Sequence, residues 1–347
     1  MSASHPRKRN RISKMILMIL GVLLGFIALE AGVRLWGRDY VSAGIYIRSK
    51  TRSYALKPNT HFVSDTGVPN FINSLGLPER EIPPAKPKGE YRILVLGDSA
   101  THNADVPYEE RFTSILEKKL NRRFSGRTFK VINAGVTGYN VEQMAALYRE
   151  VGHLYGPDYV ILHCLIRESS RRSLVNRAFL ELPPFVQDAV IFTYDHSALV
   201  RKVRIMALNA MVNVRFGDLN VSSSVGEFKD SPGWNKTKEV LSDLKRQLES
   251  QNIPFALLLF TYLQNVQRFK AHYQEFESFG RSAGISAIST WRYFEGFGED
   301  LSQFWVSPDD SHPNAKANAV IADHLVDFFP RVIEEAVEAP RPRADIP

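Results

Sequence analysis

Four aliphatic residues in a row, Ile93-Leu94-Val95-Leu96, run directly into Gly97-Asp98-Ser99. An unbroken apolar run of this length, ended by turn formers, reads as a strand buried on both faces, and such strands belong to parallel sheets covered by helices. Ser99 then stands at the carboxyl end of a strand. In open α/β sheets that is the edge where ligands bind, because the loops there converge on a crevice at the topological switch point.

The rest of the chain supplies the units that such a strand needs. Apolar runs and amphipathic segments alternate: strands over 92–97, 129–133, 158–165, 254–261 and 285–289, and helices over about 109–123, 141–152, 234–251, 265–283 and 314–336. This alternation predicts a three-layer α/β/α domain over 91–338 with a mainly parallel five-stranded sheet. Residues 168–232 break the rhythm, mixing Arg171, Arg172 and Arg177 with aromatics and Pro183-Pro184. They are too long for a simple connection and read as a partly helical insertion at the rim of the site.

Before the domain, residues 1–14 carry Arg7, Lys8, Arg9, Arg11 and Lys14 and no acid, and residues 15–36 are then almost uniformly apolar. At about 1.5 Å per residue the apolar stretch reaches ~33 Å, enough to cross a bilayer. Its two charges, Glu30 and Arg34, lie four apart near its far end and can pair on one helix face, where Trp36 is suited to anchor at the interface. The basic flank predicts a cytoplasmic tail and a single-pass inner-membrane signal anchor, with everything beyond residue 37 outside the cytoplasm. A cleaved signal peptide is the alternative; the apolar region is longer than usual for one, and no A-x-A site follows it. Residues 37–90, ending in Pro78, Pro83, Pro84 and Pro87, read as a stalk or lead-in packed on the domain edge, and 339–347 as a flexible tail.

Of the formal charge of +7, five units sit in the first fourteen residues, so nothing in the domain points to a nucleic-acid surface. The single cysteine, Cys164, excludes an intrachain disulfide; inside an apolar run it reads as a buried, inert thiol.

Near the C-terminus Asp309-Asp310-Ser311-His312-Pro313-Asn314 precedes the last helix. A nucleophilic serine needs a base, and the base needs an orienting carboxylate; Ser99, His312 and Asp309 supply one of each. Asp310 is the alternative orienter. With GDS first, Asn133-Ala134-Gly135-Val136-Thr137-Gly138-Tyr139-Asn140 between, and D-x-x-H-P-N last, the chain resembles the SGNH/GDSL hydrolase family over roughly residues 88–335. The resemblance implies that Ser99 is the nucleophile and donates its own N–H to the oxyanion hole, that His312 is the general base, and that the family's D-x-x-H spacing makes Asp309 the orienter. It also places the oxyanion-hole glycine at Gly138, leaving Gly135 to serve the turn after its strand.

The third family block, G-x-N-D, does not match. Its register falls on Leu165, Ile166, Arg167 and Glu168, so Arg167 stands where the family has its oxyanion asparagine. A lost oxyanion donor costs ~3 to 4 kcal/mol in the barrier, whereas an arginine is itself a strong donor and can also clamp an anionic substituent. Asn103 stands where many relatives have glycine, and asparagine tolerates the positive φ that this implies. His102 and His163 are alternative bases or ligands, but no two histidines show ligand spacing, so neither a metal nor a cofactor is expected. The resemblance implies a serine esterase acting on acyl groups, O-acetyl above all, of envelope carbohydrate or lipid esters. An O-acyltransferase working with envelope polysaccharide assembly proteins, and an inactive binding or assembly module, are the alternatives.

Overall fold

The computed structural model describes residues 6–36, 44–64, 66–83, 85–165, 179–200, 203, 228–261, 263–264, 266–308 and 310–338. Helix α1 (Pro6–Trp36) comes first. Its stretch Ser13–Leu35 has a mean hydropathy of 2.5 over its best window with none of that window buried, so it is long and apolar enough to cross a membrane. Two short antiparallel hairpins follow, β1 (Tyr46–Ser49) with β2 (Ser53–Leu56) and β3 (Thr60–Val63) with β4 (Pro69–Ile72).

The central sheet is five-stranded and parallel throughout. It contains β5 (Glu90–Gly97), β6 (Thr128–Gly135), β7 (Tyr159–Leu165), β8 (Phe255–Phe260) and β9 (Ser286–Ser289), in the order β6-β5-β7-β8-β9. The chain leaves β5 for β6 on one side and then crosses to β7 on the other, so the switch point lies between β5 and β7, at the end of β5 where Ser99 follows.

Alternation along the buried strands divides the core in two. Leu94, Leu96, Ile132, Val160, Leu162 and Leu257 face helices α4 (Val141–Glu150), α6 (Pro232–Ser250) and α7 (Val266–Ser282). Ile93, Val95, Val131, Ile161 and Leu258 face α3 (Phe112–Arg123) and α9 (Ala315–Glu338). Each fully buried aliphatic side chain contributes ~1.5 to 3 kcal/mol. Between these helices come α2 (Ser99–His102), α5 (Pro184–His196) and α8 (Trp291–Phe294), and β10 (Trp305–Ser307) pairs with β11 (Asp310–Pro313) before α9. The predicted α/β/α architecture and its parallel sheet are therefore present, each sheet strand within two residues of the expected bounds. The large insertion is helical where it is described, in α5. Cys164 lies in β7, and its side chain is outside the described residues.

The lead-in is woven into the domain. Leu56, Ile72 and Leu77 join the α4 side of the core. Buried Asn73 donates to the Tyr155 hydroxyl at 2.9 Å, and Arg52 pairs with Glu150 at 2.8 Å. Glu79 is buried among Tyr108, Lys130 and the backbone N–H groups of Arg80 and Asn133; burial raises its carboxyl above the usual range, against the pull of those partners. The Glu79 bond to Asn133 N (3.0 Å) is one of a row along the outer edge of β6. Glu117 accepts from Val131 N at 2.8 Å and Asn121 from Phe129 N at 2.9 Å.

Candidate active site

The turn after β5 is built from the strand end outward. Asp98 caps α2, its carboxylate accepting from Ala100 N at 2.9 Å, and Asn103 closes that single turn in the left-handed conformation (φ 47°), its N–H bonded to Ser99 O at 2.8 Å. Asparagine is among the few side-chain-bearing residues that adopt this conformation readily. The turn lies directly on the strand ends. A Cβ on Gly97 would stand 1.9 Å from Thr101 Oγ1, and one on Gly135 would stand 2.2 Å from His102 N. Gly135 thus serves close approach and not a turn conformation, since its φ is not positive.

Beneath the turn, buried polar side chains fix it. Asn133 donates to Thr101 O at 2.7 Å and accepts from Gly135 N at 2.9 Å. His163, in the centre of β7, shares a 2.5 Å hydrogen bond with the Thr101 hydroxyl, and its ring packs edge-on between Phe112 and Phe260. His102 reaches Thr137 Oγ1 at 3.2 Å. Desolvation pushes the His163 imidazole down to about 3. It does the same to His102, helped by the charge of Arg111. Both are neutral structural groups at ordinary pH, and neither takes the place of a base at Ser99.

That place belongs to His312. Its Nε2 lies 2.8 Å from Ser99 Oγ, and its Nδ1 lies 2.5 Å from Asp310 Oδ1, which also accepts from His312 N at 3.0 Å. Burial raises the Asp310 carboxyl, but the ring hydrogen bond, the ring's charge and the backbone N–H outweigh it and hold the group below its ordinary value. Among the described residues the carboxylate in contact with the ring is that of Asp310; Asp309 lies outside them. His312 stands in β11, where side chains alternate, so residues 310 and 312 project to the same side.

The base loop is held in two ways. Asn314 caps α9, accepting from Lys316 N and Ala317 N at 3.0 and 3.1 Å, while its amide donates to Gln303 O and Trp305 O at 2.9 Å each. Asn103 then bridges from the nucleophile turn, donating to Pro313 O at 3.0 Å and Asn318 Oδ1 at 3.2 Å. The sequence singled out Asn103 only as a replacement for glycine; its bridging amide had no local signal. Gly138 follows β6 with φ +85°, and a Cβ there would stand 2.6 Å from the Tyr54 hydroxyl, which itself donates to Thr137 O at 2.8 Å. Arg167 lies outside the described residues. Among the described residues no group of three or more His, Cys, Asp and Glu side chains is arranged to hold a metal ion.

A three-layer α/β/α domain with hydroxyl, imidazole and carboxylate bonded in line at the carboxyl edge of its sheet has the parts that acyl transfer through a serine requires. In motif order the sequence resembles SGNH/GDSL hydrolases. No family model and no curated protein matches the sequence. Among solved structures, it is similar to a two-domain esterase active on acetylated mannans, at 18% identity over 74% of this chain and 53% of that one with a TM-score of 0.44. It is also similar to an acetyl xylan esterase (14% identity, 68% and 98% covered, TM-score 0.42) and to a lipase/acylhydrolase from Enterococcus faecalis (13%, 69% and 95%, 0.40). The chain spans about half the length of the first of these.

Proposed function

We propose that this protein is a membrane-anchored serine esterase that removes acyl groups, O-acetyl in particular, from envelope carbohydrate through an acyl-enzyme. The observation that carries the reading is the line Ser99 Oγ, His312 Nε2, His312 Nδ1, Asp310 Oδ1, with 2.8 and 2.5 Å between partners. In the first half-reaction Ser99 Oγ attacks the ester carbonyl carbon while its proton passes to His312 Nε2. The carbon–alkoxy bond then breaks, and the same proton goes to the departing sugar oxygen. In the second half, water attacks the acyl carbon, Nε2 takes its proton, and the acid leaves as Ser99 recovers the hydrogen. Asp310 keeps the Nδ1–H tautomer and stabilises the imidazolium formed in between. The N–H groups of Ser99 and Gly138 are the oxyanion donors, and Arg167 is a third donor or a clamp on an anionic sugar substituent.

The apolar helix and its basic flank support anchoring in the inner membrane through residues 15–36, with the domain outside the cytoplasm. A C-terminal alkaline phosphatase fusion is expected to be active; activity of a cytoplasmic reporter in its place overturns the topology. For the chemistry, a fluorophosphonate is expected to label Ser99, located by mass spectrometry of the peptide, and His312→Ala is expected to abolish labelling. A folded wild-type protein that takes no label at Ser99 overturns the esterase reading.

A further inference from the structure

Helix α5 exposes large apolar side chains that nothing among the described residues covers. Phe185 is 73% exposed and Phe192 63%, and with Ala189 they recur at i, i+4 and i+7 on one face, flanked by exposed Val190 and, just before the helix, Leu182. The opposite face holds the domain. There Gln187 and Asp195 are buried, Asp195 accepts from Tyr46 N at 3.2 Å, and Asp188 at the border pairs with Arg48 at 2.8 Å. The polar groups on the apolar face are muted: Thr193 turns its hydroxyl back to Ala189 O at 2.6 Å, and the His196 ring stacks on Phe192 at 4.2 Å.

The place of this face in the molecule identifies its occupant. Immediately after α5 the backbone is gripped by the far end of α1. The Glu30 carboxylate accepts from Ser197 Oγ at 2.8 Å and from the N–H groups of Ala198 and Leu199 at 2.9 and 3.0 Å, while Arg34 pairs with Glu30 at 2.8 Å and donates to His196 O at 2.6 Å. Leu35, one residue on, is 82% exposed. The apolar face of α5 thus adjoins the far end of the apolar helix α1, which on the anchored reading is where that helix leaves the bilayer. We propose that α5 lies on the outer surface of the lipid bilayer, with Phe185, Ala189 and Phe192 sunk among the acyl chains. The inference rests on the anchored reading above.

The seat on the bilayer also sets the height of the site. Tyr194 of α5 begins a run of ring contacts through Tyr46 and Tyr54 to Tyr139, with centroids 6.3, 5.4 and 5.3 Å apart, and the Tyr54 hydroxyl ends on Thr137 O beside Gly138.

The test uses the full chain in vesicles of phosphatidylethanolamine and phosphatidylglycerol, with the photocrosslinker p-benzoylphenylalanine in place of Phe185, of Phe192 or, as control, of Phe297. The control site is an exposed aromatic packed on Phe294 and Phe304, on the α9 side of the sheet. After flotation and irradiation, peptides carrying residues 185 and 192 are expected to gain the mass of one phospholipid, at several-fold the yield seen at 297. In a Phe192→Glu background the adduct at 185 is expected to fall. Protein that floats with the vesicles but gives no lipid adduct at 185 or 192, or crosslinks there to a second copy, overturns the proposal and leaves the anchor standing. Protein that does not float overturns both.

Discussion

The two limbs of the line from Ser99 through His312 to Asp310 are built in opposite ways. The nucleophile limb, β5 with α2, is enclosed: Thr101 and His102 are buried, and the turn is held from below by Asn133 and His163. The base limb, β10 with β11, is a short half-exposed hairpin held by one helix cap and by Asn103. A hydroxyl has to be fixed in space to attack, and a buried polar lattice does this. An imidazole has to exchange protons with water and with leaving groups, so it sits where solvent reaches it.

The largest effects should come from cutting the line where the limbs meet. Ser99→Ala and His312→Ala are each expected to lower kcat on an acetyl ester by on the order of 10⁴-fold or more, and the double variant to lose little beyond the worse single one. Additive losses in a steady-state assay would show that the limbs act separately.

Next comes the aspartate pair. Asp310→Asn is expected to lower kcat by ~10²- to 10⁴-fold through loss of the Nδ1 partner, and Asp309→Asn by only a few-fold. The reverse ranking would show that the working carboxylate is the first of the pair.

The enclosed limb should show itself in acid. His102 and His163 fall from an ordinary 6.5 to about 3 in the folded chain, so between these values the unfolded state holds protons that the folded state does not. Their contribution is complete above pH 6.5 and is lost as pH falls toward 3. His163→Phe is expected to flatten the acid limb of unfolding free energy by ~1.4 kcal/mol per pH unit, about tenfold in the unfolding constant. An unchanged slope for the detergent-solubilised full chain would mean that His163 titrates normally.

The smallest effect tests the bridge between limbs. Asn103→Gly keeps the left-handed backbone but removes the amide that reaches Pro313 O and Asn318, and kcat is expected to drop ~5-fold, the worth of about one hydrogen bond, with KM nearly unchanged. A matching rise in KM would assign the bridge to substrate binding.

The sheet was legible in the sequence because its strands are buried on both faces, so Ile93 to Leu96 and Leu257 to Leu259 form unbroken apolar runs. Ser99 and His312 were legible because strand ends and helix starts carry local signals. The orienting carboxylate was not, since the sequence sets Asp309 and Asp310 side by side and both lie within a few residues of His312. Nor were the two lead-in hairpins, whose four-residue strands Tyr46–Ser49 and Thr60–Val63 are too short for alternation to stand out. Asn103 and His163 act through partners 215 and 62 positions away in sequence, a relation that no local pattern encodes.

The side-chain acceptors along β6 bear on how copies of this chain coexist. Proteins held in one plane with one orientation meet their own kind far more often than they would in free solution, and an open strand edge under those conditions is a template for runaway stacking. With the N–H groups of Phe129, Val131 and Asn133 already occupied by Asn121, Glu117 and Glu79, an incoming strand finds no donors along that stretch. On the anchored reading proposed above, crowding in the plane therefore cannot zip neighbouring sheets together through these positions of β6, whose far end carries the Ser99 turn.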